Sequence, residues 1–187
     1  MELTVEVTGE FRSMLVRRIY YVLIATASLI AVLAAGALTP LDPATSEVLL
    51  KQAEELLSEV VLSPIAILAN NLMASLLMMI PALGILFSAF IVYSTGLIVS
   101  ALASSQGISP FLLIAIPFIT FYGLLEMLAY GVAVSESALI VHALIRRRLR
   151  SELRILPIAL AVTAGLLTVA ALLEFYLIQI LSGFPAQ

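Results

Sequence analysis

Cysteine is absent from the chain and histidine occurs once. The first absence excludes disulfides, thiolate nucleophiles and zinc–thiolate sites. The second leaves His142 as the only base a Ser-His-Asp triad could use, and removes most histidine-based metal clusters. Charge is scarce too: Asp, Glu, Lys and Arg make up 11% of the residues, against roughly a quarter in a soluble domain. With a net charge of −3 and a pI of about 5.1, no phosphate-steering surface is expected and nucleic acid is not an expected partner. Glycine-rich phosphate loops, metal clusters and paired nucleophile–base motifs are missing, so no enzymatic activity and no cofactor are expected. What remains is apolar: 63% hydrophobic residues and a mean hydropathy of +1.18. These point to an all-α, polytopic transmembrane helical bundle in the cell (plasma) membrane.

A bilayer core of roughly 30 Å needs about 20 apolar helical residues per crossing. Runs of that kind predict spans at about 19–38, 62–80, 83–103, 124–145 and 155–181. The first follows a segment, 1–18, in which Phe11, Arg12, Met14 and Leu15 suggest a short interfacial helix, and Tyr20 and Tyr21 fit an interfacial anchor. A cleaved signal peptide is the rival reading of this region, but the apolar run exceeds the length of a signal core. Between the first two spans, Asp42-Pro43 predicts a helix start with Asp42 as N-cap, and 43–61 predicts an amphipathic helix. Leu49, Leu50, Ala53, Leu56, Leu57 and Val60 form its apolar stripe, while Glu47, Lys51, Glu54, Glu55, Ser58 and Glu59 form its polar face. That acidic face is either simply solvated or a partner-docking surface.

From Ile108 to Ile145 the chain is too long for one crossing and barely enough for two. Pro110, Pro117 and Gly123 divide it into a half-helix over 110–122 and the span over 124–145. If the half-helix dips in and returns, there are five crossings. Arg12, Arg17, Arg18, Arg146, Arg147, Arg148, Arg150 and Arg154 then lie on one side and Lys51 on the other. Eight against one satisfies the positive-inside rule, whereas six crossings give six against three. The expected topology is therefore a cytoplasmic N-terminus, a re-entrant half-helix, an extracytoplasmic 43–61 helix and an extracytoplasmic C-terminus. Arg146, Arg147, Arg148, Arg150 and Arg154 read as a cytoplasmic basic anchor beside anionic headgroups, with binding of nucleic acid or of an acidic cytoplasmic partner as the lesser alternative.

Counting about 1.5 Å per residue puts Asn70, Asn71, Ser94, Thr95, Ser135, Glu136 and Ser137 at similar depth. This predicts a polar intramembrane cluster in which Glu136 faces the bundle interior with Asn70 or Asn71 as its partner. Such a layer serves either as interhelical glue or as a cavity for a proton, ion or substrate. Pro117, Tyr122, Gly123 and Glu126 mark the helix break, and Glu126 in the first turn after Gly123 reads as a cap of the helix dipole or as a ligand contact. Small residues recur at four-residue spacing at Ala27, Ala31 and Ala35, at Gly84 and Ser88, at Gly96, Ser100 and Ser104, and at Ala161 and Gly165. Core packing is the expected use of these stripes, with a homo-oligomer, a dimer first, as the alternative.

The runs Ile67-Leu68-Ala69-Asn70-Asn71-Leu72, Tyr93-Ser94-Thr95-Gly96, then Pro117 and Tyr122-Gly123-Leu124-Leu125-Glu126, resemble the stage II sporulation protein M family over about residues 62–182. Thr95 stands where that pattern has Asn, and Tyr122 where it has His. The resemblance implies a five-span integral membrane protein acting as a non-enzymatic scaffold that recruits membrane or extracytoplasmic protein partners. It also implies that Asn70, Asn71, Gly96, Gly123 and Glu126 are the patterned positions. A transporter or channel component with a polar cavity around Glu136 is the competing expectation.

Overall fold

Three helices start with the same grammar, a capping residue followed by proline: Asp42-Pro43, Ser63-Pro64 and Ser109-Pro110. Proline suits the first helical position because its missing N–H has no intrahelical partner there. The computed structural model describes residues 2–60 and 63–182, without the side chains of 2–13, 56, 57, 59, 60, 181 and 182. Its helices are α1 (Glu2–Ala37), α2 (Pro43–Val60), α3 (Pro64–Met78), α4 (Gly84–Gln106), α5 (Pro110–Ile119), α6 (Tyr122–Ile145), α7 (Leu149–Leu153) and α8 (Leu156–Ser182). Among the described residues there is no strand.

Four stretches are helical, long enough and apolar enough to cross a membrane: Met14–Ala37, Gly84–Gln106, Tyr122–Ile145 and Leu149–Ile180. The apolar helices α3 and α5 are shorter, at 15 and 10 residues, or about 22 and 15 Å. Large apolar side chains such as Ile65, Phe90, Ile119 and Ile180 face outward, a surface suited to hydrocarbon rather than to water.

Several expected boundaries shift. The first span is not preceded by a separate segment, because α1 runs unbroken from Glu2; residues 2–18 contain no proline, and a lone Gly9 does not stop a helix. The roles expected of Phe11 and Arg12, and of Leu56, Leu57, Glu59 and Val60 in the amphipathic helix, concern side chains outside the described residues. The half-helix ends at Ile119 and α6 begins at Tyr122, because the break is made by Phe121 in the left-handed region (φ 66°) and not by Gly123. Gly123 serves a different purpose: a Cβ there would sit 2.6 Å from the Pro117 ring, so its missing side chain lets α5 fold close to α6.

Helix α6 is the hub. It packs against every other helix except α2, and Gly123, Ala129, Gly131, Ala133, Ser135, Ser137 and Ala143 keep its surface narrow and buried. Met127, Ala129, Tyr130 and Ala133 join Leu29 and Leu33 of α1, Met78 and Met79 at the end of α3, Val92 of α4 and Leu167 of α8 in one core. Helices α1 and α4 run parallel and touch backbone to backbone. A Cβ on Gly96 would lie 2.4 Å from the Leu33 carbonyl oxygen, and Ser100 Oγ donates to the Thr39 carbonyl at 2.7 Å. Helix α6 runs opposite to them, so that Thr26 Oγ1 reaches the Met127 carbonyl at 3.4 Å.

The small-residue stripes divide accordingly. Gly84, Ser88, Gly96 and Ser100 are buried in the core, whereas Ala27, Ala31 and Ala35 on α1, Ser104 on α4, and Ala161 and Gly165 on α8 are exposed among the described residues. At the other end of α4, the apolar turn that joins it to α3 is held by α6, where Ser137 Oγ donates to the Ile80 carbonyl at 2.8 Å.

Candidate functional site

Two polar centres interrupt the apolar body, and α6 carries one glutamate into each. At the arginine-rich end the buried Glu136, 3% exposed, accepts from Arg18 Nη1 through Oε1. The other guanidinium nitrogen, Nη2, donates to Glu152 Oε1 on α7. One arginine thus ties α1 to α6 and α7. Burying three charged groups costs several kcal/mol each, of order, unless they meet one another in good geometry, and the arginine fork supplies that geometry. Among the described residues Glu136 Oε2 has no hydrogen-bond partner.

This arrangement corrects the expected partner of Glu136, which is Arg18 and not Asn70 or Asn71. The helix ends explain why. Helix α3 has only 15 residues and the turn at its end is level with the middle of α6, where the Ile80 carbonyl accepts from Ser137, so Asn71 at the centre of α3 comes level with Glu126. Glu136 lies ten residues, about three turns, further along α6. Arg18, expected at the membrane interface, is instead only 12% exposed at its side chain.

The second centre lies where α3, α6 and α8 meet. Asn71 Nδ2 donates to Glu126 Oε1 at 2.5 Å, and Asn70 Nδ2 donates to Asn71 Oδ1 at 3.3 Å. Glu174 of α8 and the phenols of Tyr122 and Tyr130 stand within electrostatic reach of Glu126. Among the described residues neither Glu126 nor Glu174 forms a salt bridge. The capping role expected of Glu126 is not what it does here: α6 starts at Tyr122, which places Glu126 beyond the first turn, and its carboxylate is spent on Asn71.

The remaining members of the expected polar layer are not brought together. Ser135 Oγ donates to the Val132 carbonyl at 2.8 Å, Thr95 Oγ1 to the Ile91 carbonyl at 3.0 Å on an exposed face, and Ser137 to the α3–α4 turn. Each hydroxyl is satisfied by backbone, the usual fate of serine and threonine in an apolar helix. Ser94 lies half-buried on α4, apart from these bonds. Pro117 sits inside α5. The participants that sequence reasoning left out of the two centres are Arg18, Glu152, Glu174 and Tyr130. Glu174 had a signal, as the one acid within the last apolar run.

At the arginine turn, α6 closes with Arg147 in the left-handed region (φ 54°). The Arg147 N–H donates to the Leu144 carbonyl at 3.1 Å and the Arg148 N–H to the Ala143 carbonyl at 2.8 Å, the bonding of a Schellman closure, where glycine is the usual residue. Arg146, Arg147, Arg148, Arg150 and Arg154 are all exposed around this turn and the short α7. Among the described residues no group of three or more histidine, cysteine, aspartate or glutamate side chains is placed to hold a metal ion. Compared with protein-family models, with curated proteins and with solved structures, the chain matches none.

Proposed function

We propose that the chain is a multi-pass integral membrane protein of the cell membrane, with five crossings, that works as a non-enzymatic scaffold or assembly subunit. In this reading α1, α3, α4, α6 and α8 cross, α5 is the re-entrant half-helix, the N-terminus and the arginine turn are cytoplasmic, and α2 and the C-terminus are extracytoplasmic. The distribution of eight basic residues against Lys51 supports the orientation. The resemblance to the stage II sporulation protein M family supports the scaffold class.

The observation that carries the reading is α2. It is an amphipathic helix mounted on α4, with Ala53 buried and Glu47, Glu54, Glu55 and Ser58 exposed, so an acidic face is presented in fixed geometry outside the apolar body. A partner with a basic surface is the matching chemistry. The outward Ala27, Ala31 and Ala35 stripe is the face for a homodimer within the membrane. Crosslinking through α2 in intact cells should recover a second protein, and Glu54→Lys with Glu55→Lys should abolish the capture. Recovery of the chain alone would count against the scaffold. Because the chain has no cysteine, single cysteines at Lys51 and Arg150 test the orientation directly: each should be reachable from a different side.

A transport reading centred on Glu136 loses its motive, since that carboxylate is held by Arg18. The observation that favours transport is the other centre, where Glu126 and Glu174 approach without a cation. Proton flux in liposomes that disappears in Glu126→Gln would decide for it.

A further inference from the structure

A cleft of about 550 Å³ opens beside the arginine turn, between the Met14 and Arg17 side of α1, the end of α6, and α7. Its polar lining is Arg17, His142, Arg146, Arg148, Ser151 and Glu152, over an apolar floor that includes Leu139 and Ile155. Three features leave this cleft with cationic groups that nothing among the described residues employs. Glu152, its one acid, is already bound by Arg18. The His142, Leu144 and Ala143 carbonyls at the end of α6 accept from the backbone N–H groups of Arg146, Arg147 and Arg148, so these three carbonyls do not need the arginine side chains as caps. Among the described residues no carboxylate pairs with Arg17, Arg146 or Arg148. Ser151 Oγ donates to the Arg148 carbonyl at 2.7 Å and braces that residue from below.

We infer that this cleft binds a phosphate oxyanion, with Arg17, Arg146 and Arg148 as its ligands and His142 at the rim. Guanidinium forks match phosphate oxygens in pairs, and such charge-assisted bonds are about twice as strong as neutral ones. Two sources carry this chemistry: the headgroup phosphodiester of an anionic phospholipid, for which the apolar floor leads toward the bilayer, and a free phosphate-bearing solute. Only the lipid source depends on the membrane reading above. The arginine turn also contains its own control, because Arg150 and Arg154 belong to the same run of sequence but do not line the cleft.

The test uses the full chain in phosphatidylcholine vesicles with and without phosphatidylglycerol. Phosphatidylglycerol should bind in preference to phosphatidylcholine, and Arg146→Gln with Arg148→Gln should weaken it by about tenfold or more. Arg150→Gln with Arg154→Gln should stay within about twofold, as surface charges that make no fixed contact do. In the unsubstituted chain, bound phosphatidylglycerol should slow phenylglyoxal modification of Arg146 and Arg148 but not of Arg150 and Arg154. Displacement by inorganic phosphate at similar concentration assigns the site to a free solute, and resistance to it assigns the site to the lipid; both support the oxyanion site. Equal weakening in the two double variants, equal modification of all four arginines, or no preference for phosphatidylglycerol together with no binding of inorganic phosphate would overturn it.

Discussion

Glu126 and Glu136 lie on the same helix, ten residues apart, and their surroundings differ in kind. Glu136 meets a guanidinium that also holds Glu152, so charge is balanced by charge and three helices are tied at one point. Glu126 accepts from an amide and has two phenols and a second carboxylate within electrostatic reach, and among the described residues no cation pairs with it. A buried carboxylate opposed by arginine is a structural lock whose loss is paid in stability. A carboxylate satisfied only by neutral donors keeps its proton chemistry available. The contrast assigns the basic end of α6 to holding the bundle together and leaves the α3–α6–α8 junction as the place where protonation can matter.

The largest expected effect breaks the lock. Arg18→Ala strands Glu136 and Glu152 without a counter-charge and should cost about 3–5 kcal/mol, read by reversible unfolding in detergent. At the second centre the same experiment should be milder. Asn71→Leu removes the donor to Glu126 and should cost about 1–3 kcal/mol, whereas Glu126→Gln preserves an acceptor for Asn71 and should change stability by less than about 1 kcal/mol. A loss as large as that of Arg18→Ala would erase the distinction between the centres. Arg147→Gly relieves a left-handed residue at the arginine turn and should stabilise by up to about 1 kcal/mol, visible as a raised unfolding temperature.

The smallest effect belongs to a carboxylate outside the bundle. Asp42 accepts from the Thr45 N–H at 3.0 Å and from its hydroxyl at 2.6 Å, and these bonds hold its pKa below the usual 3.8. A depressed carboxylate pKa stabilises the fold above the unfolded value and loses that contribution as pH falls through the folded one. The protection of the Thr45 amide, the intrinsic exchange rate over the observed rate at the same pH, should therefore hold above pH 3.8 and fall on further acidification. In Asp42→Ala it should be low at every pH.

The helices were largely legible because period, length and the cap–proline pairs are local signals. Asp42-Pro43 announces α2, and the interruption around residues 117–123 announces the α5–α6 break, although its pivot at Phe121 carries no sequence mark. Which side chains meet was much less legible. Equal-depth counting assumes straight helices of equal length, and the short α3 moves Asn71 to Glu126 instead of Glu136. The charge count already implies that α1 runs opposite to α6, but the partnership of Arg18 with Glu136 depends on which faces of the two helices meet, which the count does not encode. Likewise the outward alanines of α1 and the inward glycines of α4 share one spacing, and only the neighbours tell them apart.

The claim that Glu136 is locked by Arg18 is tested most directly by a double-mutant cycle on reversible unfolding with Glu136→Gln and Arg18→Ala. The lock predicts that Glu136→Gln destabilises the parent chain but costs little, or stabilises, once Arg18 is alanine, with a coupling of about 1–3 kcal/mol. Additive effects, within about 0.5 kcal/mol, would contradict it.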